Sequence, residues 1–215
     1  MSSENELPLM NGLPRADLPT DEPLVLASGS PRRAELLKSA GYQFRIDPAS
    51  DNAECGICSG DAAPEFSARN AFRKAEDVAG RYESALVIGA DTVAWCNGQI
   101  LGKPRDVDHA ESILRMLSGR SHDVYTGICV WSVKLGKVVV EAVRTELQML
   151  AISDAMLEEH LDSMRWEGKA GAFGFQDGND WLKITGDGSA SNVVGLPMER
   201  LKEILEKFDS IADPL

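Results

Sequence analysis

Ala85-Leu86-Val87-Ile88-Gly89-Ala90 is an unbroken apolar run that ends on Asp91-Thr92. A strand with one wet face alternates apolar and polar residues. A continuous run of this length reads instead as a strand buried on both faces, with helices covering the sheet. An acid at the carboxyl end of such a strand stands where α/β proteins place their ligands. Asp91 is therefore the first candidate for chemistry, against the plainer reading of a carboxylate that caps a nearby turn.

A second junction lies at Leu24-Val25-Leu26-Ala27-Ser28-Gly29-Ser30-Pro31-Arg32-Arg33. A short apolar strand meets a small-residue turn, and a helix begins with Ser30 at the N-cap and Pro31 at the first helical position. Two arginines in a first helical turn face the positive end of the helix dipole. An anion presented there would offset the repulsion, because free N–H groups and a guanidinium together form a phosphate cradle. A solvated basic turn is the alternative.

Between and beyond these junctions, strands and helices alternate. Strands are expected at residues 24–27, 42–46, 85–90, 122–131, 138–150 and 181–185. Helices are expected at 31–40, from Pro64 to about Gly80, at 107–117 behind the cap Asp106, from Ser153 to about Ser163, and at 197–208. Asn97-Gly98 marks a hairpin turn. The pattern is α/β with a mixed sheet. Residues 1–22 combine three prolines with acidic residues and lack periodicity, which predicts a disordered tail before a single domain over residues 23–210. Residues 47–63 form a long loop, and loops of that length in compact domains are often functional.

With 215 residues and 43 % hydrophobic content, the chain can bury a real core. Its net charge of −12 carries no basic face for a nucleic-acid polymer. No apolar run is long enough for a signal peptide or a membrane span, so a cytoplasmic protein without membrane contact is expected. Four cysteines offer one suggestive spacing, Cys55-x-x-Cys58, without the second pair a zinc site needs. It reads as a loop of reduced thiols. The three histidines lack metal-ligand spacing. Walker, dinucleotide-binding and serine-elbow motifs are absent.

Glu54, in the long loop, is a second acid that could join Asp91 around one hard divalent cation, since magnesium takes one or two carboxylates plus substrate phosphates. Lys103 sits in Gly102-Lys103-Pro104, Lys74 on the alanine-rich helix and Lys169 in a glycine-rich loop. Any one of them reads first as a solvated charge. Together with Arg32 they would suit a triphosphate.

Taken in order, the motifs resemble the Maf family of house-cleaning nucleoside triphosphate pyrophosphatases. Those that carry the resemblance are Leu26 to Arg33, Ile88-Gly89-Ala90-Asp91-Thr92-Val93, Gly102-Lys103-Pro104-Arg105 and Met116-Leu117-Ser118-Gly119-Arg120-Ser121-His122. They continue with Tyr125-Thr126-Gly127, Lys169-Ala170-Gly171-Ala172-Phe173-Gly174-Phe175-Gln176 and Val194-Gly195-Leu196-Pro197. The resemblance implies an elongated α/β domain, a mixed twisted sheet with flanking helices and a central cleft between two lobes. It implies cleavage between the α and β phosphates, releasing a nucleoside monophosphate and pyrophosphate, with magnesium or manganese as cofactor and a homodimeric state. Asp91 matches the family's proton acceptor and shares the metal with Glu54, for which Asp51 is the substitute. Ser28, Arg32, Lys74 and Lys103 match phosphate-facing positions. Arg32, Thr92 and Gln176 match the triplet of the dTTP/UTP branch, whereas Ser189-Ala190-Ser191-Asn192 is nearer the 7-methyl-GTP branch. Two other readings remain: the same reaction on a purine nucleotide, and a protein that restrains septum formation by binding.

Overall fold

The computed structural model describes residues 12–58, 60–175 and 180–210. Its strands are β1 (Leu24–Leu26), β2 (Arg45–Ile46), β3 (Leu86–Cys96), β4 (Gln99–Leu101), β5 (Ser121–Ser132), β6 (Lys137–Met149) and β7 (Leu182–Thr185). They form one mixed sheet in the order β2-β1-β3-β5-β6-β7, with β4 paired to β3. β1 runs parallel to β2 and β3, and every other pairing is antiparallel. The buried apolar run opens β3 as expected. The strand continues past Asp91 because Thr92, Val93 and Trp95 retain strand propensity.

One edge of β3 explains where a ligand can sit. β1 pairs with β3 only as far as Ile88, and β4 takes over from Ala94. Between these points the β3 backbone has no strand neighbour on that side, and Asp91 and Thr92 occupy the gap. On the other edge β5 pairs continuously, with Asp91 opposite Gly127 and Thr92 opposite Thr126.

The helices are α1 (Pro31–Ser39), α2 (Ala63–Ala79), α3 (Val107–Leu117), α4 (Asp154–Asp162), α5 (Ala190–Val194) and α6 (Met198–Lys207). Strand periodicity sorts the core by face. Leu24, Leu26, Ile88 and Ala90 pack against Leu36 and Leu37 of α1 and Leu201, Ile204 and Leu205 of α6. Further along the same face, Ala94 and Cys96 pack with Ile113 and Leu114 of α3 and Leu157 of α4. Thr92 lies between these two apolar clusters, which are the lobes on either side of the cleft. Val25, Ala27, Val87 and Cys129 point to the opposite face and meet Ala71, Ala75 and Val78 of α2.

α2 lies unusually close to the sheet. A Cβ on Gly89 would stand 2.2 Å from the Ala71 carbonyl oxygen, and one on Gly127 2.0 Å from the Ser67 carbonyl oxygen. The helix meets these glycines with its small residues Ser67, Ala71 and Ala75, all fully buried. The neighbouring stripe of α2, at four-residue spacing, is Phe66, Asn70, Lys74 and Val78.

Two expectations need correction. The predicted tail extends to residue 22, yet of its residues 12–22 are packed on the domain, while 1–11 lie outside the described residues. Ala16 is buried and donates its N–H to the Tyr42 hydroxyl at 3.0 Å. Glu22 is 3 % exposed and accepts from the backbone N–H groups of Ala85 and Lys134 at 3.0 and 2.8 Å and from the Ser132 hydroxyl. Proline-rich composition misled here, because a single carboxylate can anchor a segment to the open ends of two strands. Ser30 does stand at the N-cap of α1, but its hydroxyl makes no cap bond. Helix α5 was not expected: its five residues are too few to show a period.

Gly127→Ala should force α2 away from β5. The expected cost is about 1–3 kcal/mol or more, as for other overpacked cores, read as a lower urea midpoint. An unchanged midpoint would contradict the close approach.

Candidate active site

The long loop is fastened along one side of α2. Asp77 accepts from the Ser50 N–H and hydroxyl at 2.9 and 3.0 Å, and Arg73 Nε donates to the Ala53 carbonyl at 3.0 Å. Asn70 Oδ1 accepts from the Cys55 N–H at 3.0 Å. These anchors set the 3-10 turn Asp51–Ala53 and leave Glu54 facing the sheet. Lys74, 6 % exposed, extends between the loop and β3. Its ammonium donates to Asp91 Oδ1 at 2.6 Å and stands 2.7 Å from Glu54 Oε1. Asn70 Nδ2 lies 3.4 Å from the other Asp91 oxygen.

On the opposite face of β3 a second cation organises the cleft. Arg33, 9 % exposed, donates from Nε to the Gly195 carbonyl at 2.7 Å, from Nη1 to Ser28 Oγ at 2.8 Å and from Nη2 to Thr92 Oγ1 at 3.1 Å. Its acceptors are all neutral, and burial pushes the guanidinium below its ordinary value, opposed by the charge of Asp91. Ser28 Oγ also accepts from the Ser30 N–H at 3.3 Å. Thr92 Oγ1 shares a hydrogen bond with Thr126 Oγ1 at 3.0 Å, and Thr126 Oγ1 donates to the Asn192 carbonyl at 2.9 Å.

The space enclosed is a cleft of about 480 Å³. Asp91, Glu54, Ser28, Arg32, Lys74, Thr92 and Lys103 all line it. Seven of the eight site residues expected from the sequence thus converge, although they come from five separate stretches of chain. The eighth, Gln176, lies outside the described residues. The convergence differs from expectation in detail. Lys74 is engaged by two carboxylates, and the Thr92 hydroxyl is tied to Arg33 and Thr126. Arg32 Nη2 reaches the Gly168 carbonyl at 3.3 Å across the cleft mouth. Lys169, Phe173 and Phe175 line the far wall. Behind it His122 packs edge-on against Phe173, and burial pushes its imidazole down to about 4, so the ring is neutral.

Arg33 and Asn70 were missed. Adjacent arginines in a first turn do not show which one points inward. The Asn70–Lys74 spacing of four did carry a signal, since both fall on one helical stripe with Phe66.

Among the described residues no three His, Cys, Asp or Glu side chains form a metal cage. A cage is not what magnesium needs. Glu54 and Asp91 lie within 2.7 Å of one ammonium, so their oxygens already converge on a point where positive charge is held. That donor set fits a hard cation whose remaining ligands are water and phosphate oxygens.

A family model described as Maf-like protein matches residues 23–208. The chain belongs to the Maf family. A relative named dTTP/UTP pyrophosphatase, from Rhodopirellula baltica, is 62 % identical over 211 residues, covering 96 % of this chain and 93 % of its own length. Another of the same name, from Pelotomaculum thermopropionicum, is 42 % identical over 187 residues, covering 86 % and 96 %. A solved structure titled nucleoside-triphosphatase / dITP/XTP pyrophosphatase, from Mycobacterium abscessus, overlaps 87 % of this Maf chain and 97 % of its own at 12 % identity and a TM-score of 0.38. That likeness is too distant to bear on the cleft.

Burial raises the Glu54 carboxyl, but the Lys74 hydrogen bond and charge, with Lys103 and Arg33 beyond, outweigh it and hold it below its ordinary value. A carboxyl lowered on folding stabilises the fold above its unfolded value and loses that contribution as pH falls through the folded one. Lys74→Met removes the shared cation and leaves two carboxylates together. It should be markedly destabilised near neutral pH, and the gap from wild type should narrow as pH falls below the ordinary Glu54 value of 4.5. Urea midpoints across that range check this, and a gap independent of pH would contradict it.

Proposed function

We propose that this Maf-family chain is a nucleoside triphosphate pyrophosphatase acting on dTTP and UTP. The supporting observation is the carboxylate pair Asp91 and Glu54, held at one ammonium where β3 loses its neighbour, in a cleft that also carries Arg32, Arg33, Lys103 and Lys169. Relatives named dTTP/UTP pyrophosphatase cover nearly the whole chain.

The chemistry follows from charge. A triphosphate repels a chain of net charge −12 unless cations are placed along its path. Arg32, Lys103 and Lys169 line the cleft on different walls, and Arg33 and Ser28 form its floor. Hydrogen bonds from such groups to phosphate oxygens are charge-assisted, and each contributes roughly 1.5–3 kcal/mol. Asp91 accepts the proton of the attacking water, with Lys74 and Asn70 fixing the carboxylate plane. Attack at the α phosphorus forms the new P–O bond, breaks the bond to the bridging oxygen and releases pyrophosphate. Glu54 and Asp91 are the residues that would hold a magnesium or manganese ion, which when bound supplies charge neutralisation and a more acidic water.

The base reading rests on Arg32, Thr92 and Gln176. Thymine and uracil present a carbonyl–NH–carbonyl edge, and an amide supplies the matching donor and acceptor from one side chain. CTP replaces a carbonyl by an amine and should be a poor substrate. The same reading extends to a cytoplasmic homodimer. No helix among the described residues is long and apolar enough to cross a membrane. Light scattering should give twice the chain mass of 23.3 kDa, and the monomer mass would reject the dimer.

Asp91→Asn keeps the shape of the side chain and removes the base. Its kcat should fall on the order of 10²-fold or more, while triphosphate binding persists. Near-normal kcat in the folded variant would sink the assignment. A nucleotide panel with pyrophosphate detection should place dTTP and UTP first by kcat/KM. Higher values for GTP or 7-methyl-GTP would move the chain to the other branch.

A further inference from the structure

Cys55 and Cys58 take no part in the reaction just described, yet they follow directly on Glu54. All four cysteines are free thiols; Cys96 and Cys129 are buried, Cys55 is half-buried and Cys58 is exposed. One buried side chain holds the first of the pair. Asn70 accepts from the Cys55 N–H at 3.0 Å, and its Nδ2 lies 3.4 Å from both the Cys55 carbonyl and Asp91 Oδ2. The amide that orients Asp91 is thus also the clamp on the Cys55 backbone. Two residues on, Ile57 packs beside Gly102, next to Lys103. The segment from Cys55 to Cys58 therefore joins the carboxylate side of the cleft to its lysine side.

The backbone from Cys55 to Cys58 makes no turn. A disulfide needs Cα atoms about 4.4–6.8 Å apart, whereas residues three apart in an extended chain stand roughly 10 Å apart. Bridging the two sulfurs requires this segment to fold back on itself. Both ends are fastened: the Cys58 N–H donates to Asp61 Oδ2 at 2.9 Å, and Asp61 is paired with Arg69, so the strain of closing the loop also reaches the Asn70 clamp and Glu54 beside it.

We propose that Cys55 and Cys58 are a redox modification site: a peroxide converts them to a reversible disulfide that pulls Cys55 from Asn70 and Glu54 from the Lys74–Asp91 pair, slowing hydrolysis. The Cys55 sulfur attacks the peroxide, an S–O bond forms, the O–O bond breaks, and the oxygen that leaves takes the thiol proton as water. The Cys58 sulfur then attacks the Cys55 sulfur, an S–S bond forms, and the S–O bond breaks with loss of a second water. Two thiols are oxidised and one peroxide is reduced to two waters. A dithiol reductant reverses the step by exchange.

Only the activity arm rests on the proposed function, so the test has two arms. The full chain is treated with hydrogen peroxide and excess reagent is removed. Peptide mass spectrometry after thiol alkylation should show the 55–58 pair lighter by two hydrogens and unalkylated, and the Cys55 amide should lose its hydrogen-exchange protection. dTTP hydrolysis should fall by about 10-fold or more, the range for disturbing groups around a metal site, and dithiothreitol should restore it. The double variant Cys55→Ser/Cys58→Ser should keep its rate through the same treatment. The proposal is overturned if both thiols stay alkylatable, if the disulfide forms with protection and rate unchanged, or if the double variant is inhibited equally. A chain that hydrolyses no nucleotide yet shows the disulfide and the lost protection refutes the proposed function while leaving the modification site standing.

Discussion

The approach of α2 to the sheet is the constraint on which the rest depends. Two strand positions on the same face, Gly89 and Gly127, carry no side chain, and the helix backbone occupies the space a Cβ would need. Gly127 is paired directly with Asp91, and Gly89 lies two residues before it on β3. Asp91 therefore projects beneath the helix beside two strand positions that carry no side chain. Had α2 stood at an ordinary distance, the Lys74 ammonium would not meet both Asp91 and the loop that brings Glu54. Asn70, Arg73 and Asp77 then use the same helix to fasten that loop. One close contact thus positions both carboxylates and the cation between them.

The cleft handles its two buried cations differently. Lys74 is matched by two carboxylates, which offsets the desolvation of all three groups and makes removal of any one costly. Arg33 has only neutral oxygens as hydrogen-bond acceptors, and Asp91 and Glu54 act on its charge without bonding to it. Its fork of donors fastens the β1–α1 turn, the exposed stretch of β3 and the turn after α5 to one another, a geometry that lysine could not reproduce. A buried cation with no carboxylate bonded to it favours an anion nearby. In a strongly acidic chain that local field sets where a phosphate can rest, since exposed charges more than about 10 Å away are largely screened at ordinary salt.

The fold class was legible because it is written in local period. The unbroken run before Asp91, the Asn97-Gly98 turn, the Asp106 cap and the long alternating strands each depend on residues close in sequence. Asp106 does accept from the His109 N–H, and Ser153 from the Met156 N–H. Where local signals were weak or absent, the expectation failed: proline content concealed the docking of residues 12–22 through Glu22, and α5 was too short to register.

The composition of the site is legible along the chain, because side-chain chemistry and motif order are one-dimensional properties. The chain supplies Asp91 after a buried apolar run, an acid in the long loop, and basic residues at turns. Which of these groups meet is settled by packing in three dimensions. Which of two adjacent arginines turns inward depends on acceptors more than 50 residues away, at Thr92 and Gly195. That Lys74 serves the carboxylates depends on how closely a helix lies on two glycines in different strands. Distances of that kind are set by packing across the sheet, and no spacing along the chain encodes them.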